Sequence, residues 1–316
     1  MPNAPVRHHT VPKFYLSGFA KRTRLRAVDV ATSNSFMTSV SDATIENHFY
    51  SLPSHPTNPS VFEEKLARIE SNSAGILGKA ARGEWPLNNH DRLLFAEFMT
   101  LQHLRGQDHR RQMHSALEAI LRQLAVEDPT EFERVSNLPG APAGLKDRQG
   151  DFPPLATSAS HVQQIEVLLL RLQPFFLERS WTLVQFDAAS LLTSDAPITP
   201  VPRNDGNQSD ALGLQNSRAM LFPLSRDAGL IMQSLSPLHL VPGVMEDVAA
   251  GRLDLVMPGD ESSRLMFNAN TAMHAHKRIY HHPDDAHLVP EDLPELAARG
   301  GRIDLADPPA GLHLEI

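Results

Sequence analysis

Two kinds of apolar periodicity occupy separate stretches of this 316-residue chain. From residue 60 to residue 178, apolar residues recur three and four positions apart, the spacing of one face of a helix. From residue 181 to residue 235, short apolar runs are cut by turn-forming sequence, the mark of antiparallel strands. A chain that groups its helices and its strands in this way cannot follow the alternating βαβ rhythm of a doubly wound sheet. It predicts an α+β fold with segregated layers. The expectation is a predominantly helical chain, long helices packed with a small antiparallel sheet.

The helical part divides readily. Ser60 stands three residues before Glu63, the spacing of a capping box. Phe62, Leu66, Ile69, Ile76, Leu77 and Ala80 then share a face, and Gly83 closes the helix. A longer helix is expected from Asn89 or His90 to about Ala125, bent at Gly106, with a short one from Pro129 to about Val135. His161 to Glu178 is the most apolar helix and is expected at the centre of the core, with Pro174 as a kink. Strands are predicted at Trp181–Phe186, Ser190–Ser194, Ala219–Pro223 and Leu230–Leu235. A weaker alternation marks Arg24–Val30, and residues 31–59 read as loop with one short strand near His48–Ser51. Asp260 to Tyr280 reads as a final long helix. The expected organisation is one α+β domain over residues 1–282, a loop insertion at about 138–160, and a tail over 283–316 that wraps the surface.

Composition narrows the function classes. There is no cysteine, which removes disulfide frameworks, thiolate metal sites and cysteine nucleophiles. The longest apolar blocks are far too short to span a bilayer, and the first residues hold no apolar run. A cytoplasmic protein with no membrane partner is therefore expected. The net charge is −8 with histidine neutral. That disfavours a nucleic-acid partner, whose phosphates call for a basic excess, and leaves room only for a local patch such as Lys21, Arg22, Arg24 and Arg26. A glycine-rich phosphate loop, a nucleophile elbow and an HExxH helix are all missing from the sequence.

Polar residues that interrupt apolar runs carry what functional signal remains. His8 and His9 precede Phe14, Tyr15, Leu16 and Phe19. In an extended segment they point to opposite faces, so one of the two enters any given site; the alternative is a histidine hydrogen-bonded beneath the core. Glu63 and Glu70 are two helical turns apart on one face, about 10 Å along the axis, and are either solvated or half-buried beside a cation. Gln102 and Arg105 continue the stripe of Leu94 and Phe98. Arg105 can pair with Glu70 or Asp195, or bind a phosphate or carboxylate. The run from Leu191 into Ser194-Asp195-Ala196-Pro197 is a strand end, where acids serve either catalysis or a turn. Asn268 and Asn270 interrupt the last helix. His274, His276, His281 and His282 read as surface residues.

Taken in order, these motifs resemble a family. The opening His-His-x-x-Pro-x-Phe-Tyr-Leu-x-x-Phe from His8 to Phe19, Ile69-Glu70, Gln102 with Arg105, the strand led by Trp181, Ser194-Asp195-Ala196-Pro197, Phe222 to Ser225 and Asn268 are together similar to the domain of unknown function 4238 family. The resemblance spans about residues 8–282. It implies no activity, but it does imply that these polar positions belong to one site.

The resulting expectation is a metal-dependent hydrolase acting on phosphodiesters, nuclease-like in class. His8, His9, Glu70, Gln102, Arg105 and Asp195 would be its catalytic residues. His9, Glu70 and Asp195 would hold a divalent metal ion, Arg105 would stabilise negative charge, and Ser194 and Asn268 would contact substrate with Arg105. The alternative is a non-catalytic binding or regulatory protein in which Glu70, Arg105 and Asp195 form a buried structural network.

Overall fold

Three helices with one apolar face each set the core. In the computed structural model, which describes residues 7–50, 61–138, 141, 145, 157–202, 214–234 and 243–293, α2 (Val61–Ala81) turns Phe62, Leu66, Ile69, Ile76, Leu77 and Ala80 inward. Its chain leaves the helix through Gly83 at φ +76°, a left-handed conformation in which a side chain would be strained. α3 (Asn89–Leu104) starts where the Asn88 side chain accepts the Asp91 amide, a cap that satisfies one orphan donor. α6 (Ser158–Leu177) starts on Thr157 in the same manner and runs through Pro174 to its end. α3 packs between α2 and α6. The remaining α-helices among the described residues are α1 (Lys13–Leu16), α4 (Gln107–Glu127), α5 (Pro129–Ser136), α7 (Val244–Ala249) and α8 (Glu261–His274).

The strands form three sheets among the described residues. A five-stranded sheet has the order β10 (Leu255–Pro258), β5 (Arg179–Gln185), β9 (Ala228–Ser234), β8 (Ala219–Pro223), β7 (Thr199–Val201). Its pairs are antiparallel except β10, which lies parallel to β5. A four-stranded antiparallel sheet has the order β3 (Ser35–Ser39), β2 (Arg24–Asp29), β11 (Arg278–His281), β6 (Thr193–Ser194). A two-stranded sheet joins β1 (Arg7–His9) to β4 (Ile45–Asn47). One hydrophobic cluster runs from α1, α2, α3 and α6 into the five-stranded sheet, through Phe95, Phe98, Trp181 and Phe222. α8 packs against β6, β7 and β8, and its Phe267 ring reaches Gly229 of β9. A Cβ on Gly229 would meet the Phe267 ring at 2.6 Å, so only glycine admits that ring.

The architecture is α+β, but the expectation of a predominantly helical chain with one small antiparallel sheet is overturned. Three sheets are present, and one of them is mixed. The missed strands β1, β3, β4, β7, β10 and β11 are three to five residues long, too short for alternation to register, and several sit in polar sequence. The helix expected over Asp260–Tyr280 stops at His274 and gives way to β11. The cause is local: both Asp195 carboxylate oxygens accept backbone amides, Oδ1 from His276 and Oδ2 from Lys277. They hold those amides in a bend rather than in a helix.

The helix expected from Asn89 to Ala125 is likewise two helices, broken at Arg105 and Gly106. Two carbonyls at the end of α3 are satisfied from outside it. His161 Nε2 donates to the Leu104 oxygen, and the Tyr50 hydroxyl donates to the Arg105 oxygen. His281 and His282, expected at the surface, are buried. The Ser60 cap, most of the insertion at 138–160 and the tail beyond residue 293 lie outside the described residues. Among the described residues no helix is long and apolar enough to cross a membrane.

Candidate functional site

The paired histidines sit on β1, whose register opposes His8 to Glu46 of β4. Strand alternation sends His8 inward, where it is 1% exposed, and leaves His9 half-buried. His8 Nδ1 accepts the Tyr50 backbone N–H at 2.7 Å. The proton of the neutral ring therefore sits on Nε2, and Nε2 lies 3.9 Å from Glu63 Oε1. The ring stacks on Tyr50 with centroids 5.6 Å apart. His9 Nδ1 donates to the Ala43 carbonyl at 3.2 Å. Burial holds the His9 imidazole below its ordinary pKa, with the Lys13 charge acting in the same direction.

Arg105 is the hub of the cluster. It caps α3 and is completely buried. Its Nε donates to the Thr10 carbonyl and to Gln102 Oε1, both at 3.0 Å, and its Nη1 donates to Glu70 Oε1 at 2.6 Å. Gln102 Nε2 donates to the same Thr10 carbonyl at 3.0 Å. The first segment is thus bound to the end of α3 through one backbone oxygen, and that end to α2 through the Arg105–Glu70 ion pair, while Lys79 and Asp91 pair the same two helices near the start of α3.

The side chains of Glu63 and Glu70 are 29% and 27% exposed, so the acidic side of the cluster opens to solvent. Burial raises the pKa of Glu63; the Arg105 charge opposes that rise and the Glu70 charge adds to it. Two buried atoms in the cluster have no hydrogen-bond partner among the described residues: Arg105 Nη2, a donor, and Glu63 Oε1. Unsatisfied buried polar atoms are uncommon and call for an explanation.

The other predicted site residues lie in a second place and make backbone bonds there. Asp195 forms the bend already described. Ser194 is buried and its Oγ accepts the Ala196 amide at 3.1 Å. Asn268 Oδ1 accepts the Leu192 amide at 3.0 Å, and its Nδ2 donates to the Ser190 carbonyl at 2.9 Å. Asn268 therefore pins the approach to β6 onto α8. Tyr15, on α1, joins this region: its hydroxyl donates to the Pro223 carbonyl at 2.7 Å and lies 2.7 Å from Thr193 Oγ1. Glu46 links the two places, since its Oε1 accepts from Lys277 Nζ at 3.0 Å and from Gln107 Nε2.

The structure thus brings His8, His9, Gln102, Arg105 and Glu70 together, and adds Glu63 and Tyr50. Asp195, Ser194 and Asn268 do not belong to that cluster. Among the described residues no group of three or more histidine, aspartate or glutamate side chains is arranged to hold a metal ion. The expected ligand set of His9, Glu70 and Asp195 is not assembled there, and each Asp195 oxygen accepts an amide of the bend. Glu63 had a signal in the sequence, the seven-residue spacing to Glu70 on a face flanking the apolar stripe. Tyr50 had none.

Comparisons with curated proteins and with solved structures return no match. A family profile matches residues 7–285, opening at the strand that carries the paired histidines and closing just past β11. The chain belongs to the family described as protein of unknown function, DUF4238.

Proposed function

We propose that this chain is a hydrolase acting on phosphodiesters, with its acid–base centre at Glu63 and His8 and its anion receptor at Arg105. One observation carries the reading: the unbonded donor Arg105 Nη2 and the unbonded Glu63 Oε1 occur in one cluster, beside carboxylates that reach solvent. A phosphate oxygen would take the free guanidinium nitrogen, with the second proton-bearing nitrogen at His8 Nε2. A buried guanidinium aimed at developing charge is worth far more than one in water. Burial raises the pKa of Glu63, the direction in which a carboxyl becomes a better proton carrier. Relative to the sequence expectation, Glu63 takes the place given to Asp195.

The test is hydrolysis of bis(p-nitrophenyl) phosphate and of a short oligonucleotide, by wild type and by Glu63→Gln. The expected result is turnover by wild type and a fall in kcat/KM of about 100-fold or more in the variant, with an unchanged circular dichroism spectrum. Parallel series with a chelator and with magnesium read whether a divalent ion takes part. No turnover above the buffer rate, or equal rates for the two proteins, removes the proposal.

A second reading also has an observation of its own. Arg105 Nε is shared between Thr10 and Gln102, which are internal groups, and a purely structural tie would look the same. On that reading the chain is a non-catalytic binding or regulatory protein, and no substrate turns over.

A further inference from the structure

The Arg105 guanidinium is only half used. Its Nε donates to two internal acceptors, the Thr10 carbonyl and Gln102 Oε1. The outer edge of the fork, Nη1 with Nη2, can take two oxygens of one anion. Glu70 supplies a single oxygen, Oε1 on Nη1 at 2.6 Å, and Nη2 has no partner among the described residues. A pair that served stability alone would be expected to close both bonds, since a buried donor left without an acceptor is costly.

Access points the same way. The Arg105 side chain has no solvent exposure, so a ligand reaches Nη2 only when a neighbouring group gives way. Thr10 and Gln102 are buried and held to each other. The Glu70 side chain is part-exposed and regains water on leaving. Glu63 feels the charges of both Arg105 and Glu70, so one guanidinium serves two carboxylates.

We propose that Glu70 is an internal stand-in for the ligand: it holds Nη1 until a phosphodiester displaces it and binds Nη1 and Nη2 together through its two unesterified oxygens. This rests on the reading of Arg105 as the anion receptor. It adds that the resting site is closed, and that affinity is set by a competition within the chain. The carboxylate that keeps the buried charge paired in the resting protein is the one that must leave when the ligand arrives.

Equilibrium binding reads this without turnover. Dimethyl phosphate is titrated into the isotope-labelled full chain and followed through the amides of Gln102 and Arg105. Glu70→Gln leaves a neutral acceptor for Nη1 and removes the competing charge; it is expected to bind at least about 10-fold tighter than wild type, a modest share of what a like charge beside a ligand costs. Glu64→Gln, at an exposed position of α2, removes the same charge elsewhere on the helix and is expected to bind as wild type does. Glu70→Asp draws the charge back from Nη1 by one methylene and is expected to fall between, which keeps the test alive should the glutamine variant not fold. Binding by Glu70→Gln no tighter than by Glu64→Gln overturns the inference, because Glu70 would then help to hold the ligand rather than compete with it. No saturable binding by any of these proteins overturns it as well, together with the receptor role of Arg105. Tighter binding by Glu70→Gln, with no hydrolysis of bis(p-nitrophenyl) phosphate by wild type, supports the inference and removes the hydrolase alone.

Discussion

Replacing Arg92 with alanine is expected to lower folding stability by about 3–5 kcal/mol, the usual cost of removing one member of a buried ion pair. Arg92 stands on the inner face of α3 with no solvent exposure. Its guanidinium lies over the Trp181 ring at 3.8 Å. Nη1 donates to Asp254 Oδ2, and Nη2 to the Arg179 carbonyl at 2.9 Å. Asp254 in turn accepts the Trp181 amide at 2.9 Å. One side chain therefore fastens α3 to β5 and to the turn before β10. Alanine there leaves a cavity beside Trp181 and a buried carboxyl without its cation. Urea unfolding of the purified variant reads the loss. A change below about 1 kcal/mol, the range of exposed pairs, would show that the pair is replaced by water at no cost.

The same pair has a pH signature. Burial outweighs the Arg92 charge and pushes the Asp254 carboxyl up to about 6 from its ordinary 3.8. A carboxyl whose pKa is raised on folding stabilises the folded state most where it is protonated, below pH 3.8. That contribution is lost as the pH climbs through about 6. Asp254→Asn removes the titration. Wild-type stability relative to this variant is then expected to fall by roughly 3 kcal/mol between about pH 4 and pH 7, at ~1.4 kcal/mol for each pH unit separating the folded and unfolded values. A difference that stays flat across that window contradicts the assignment.

These residues show what a sequence reading can reach. The stripes of α2 and α6 were legible because each buries one face of a long helix, and a long face repeats often enough to be recognised. β8 was legible because a run of apolar residues is bounded by turns. Arg92 gave no warning: it reads as one charge in a polar first turn, and only the approach of Trp181 and Asp254, far along the chain, buries it. The pairing of Arg105 with Glu70 was among the stated alternatives, since each broke an apolar stripe. Asp195 broke one too, yet it serves a bend. An acid at a strand end looks the same from the sequence whether it faces a substrate or the backbone amides of a turn that arrives about eighty residues later. The strands of three to five residues failed for a related reason. Their partners, not their own alternation, define them, as β11 shows by lying between β2 and β6.

Arg105→Ala is expected to cost about 3 kcal/mol, near the lower end for a broken buried pair, and to loosen the first segment more than the rest. Two features temper the loss. Glu70 is part-exposed and regains water, and Gln102 still donates to the Thr10 carbonyl. What cannot be recovered is the single group that holds Thr10, Gln102 and Glu70 together. Lysine offers one nitrogen in place of a planar fork, so Arg105→Lys keeps the charge but not the geometry, and is expected to restore only a minor part of the stability. Hydrogen exchange locates the effect. The Thr10 amide, bonded to the Thr44 carbonyl, should exchange many-fold faster in Arg105→Ala, while amides of β8 and β9 change only with global stability. Were Thr10 protection to follow those strands instead, the first segment would be held by β4 alone. The Arg105 cluster would then be free of the structural duty that its hydrogen bonds imply, and its buried charge would need a ligand to account for it.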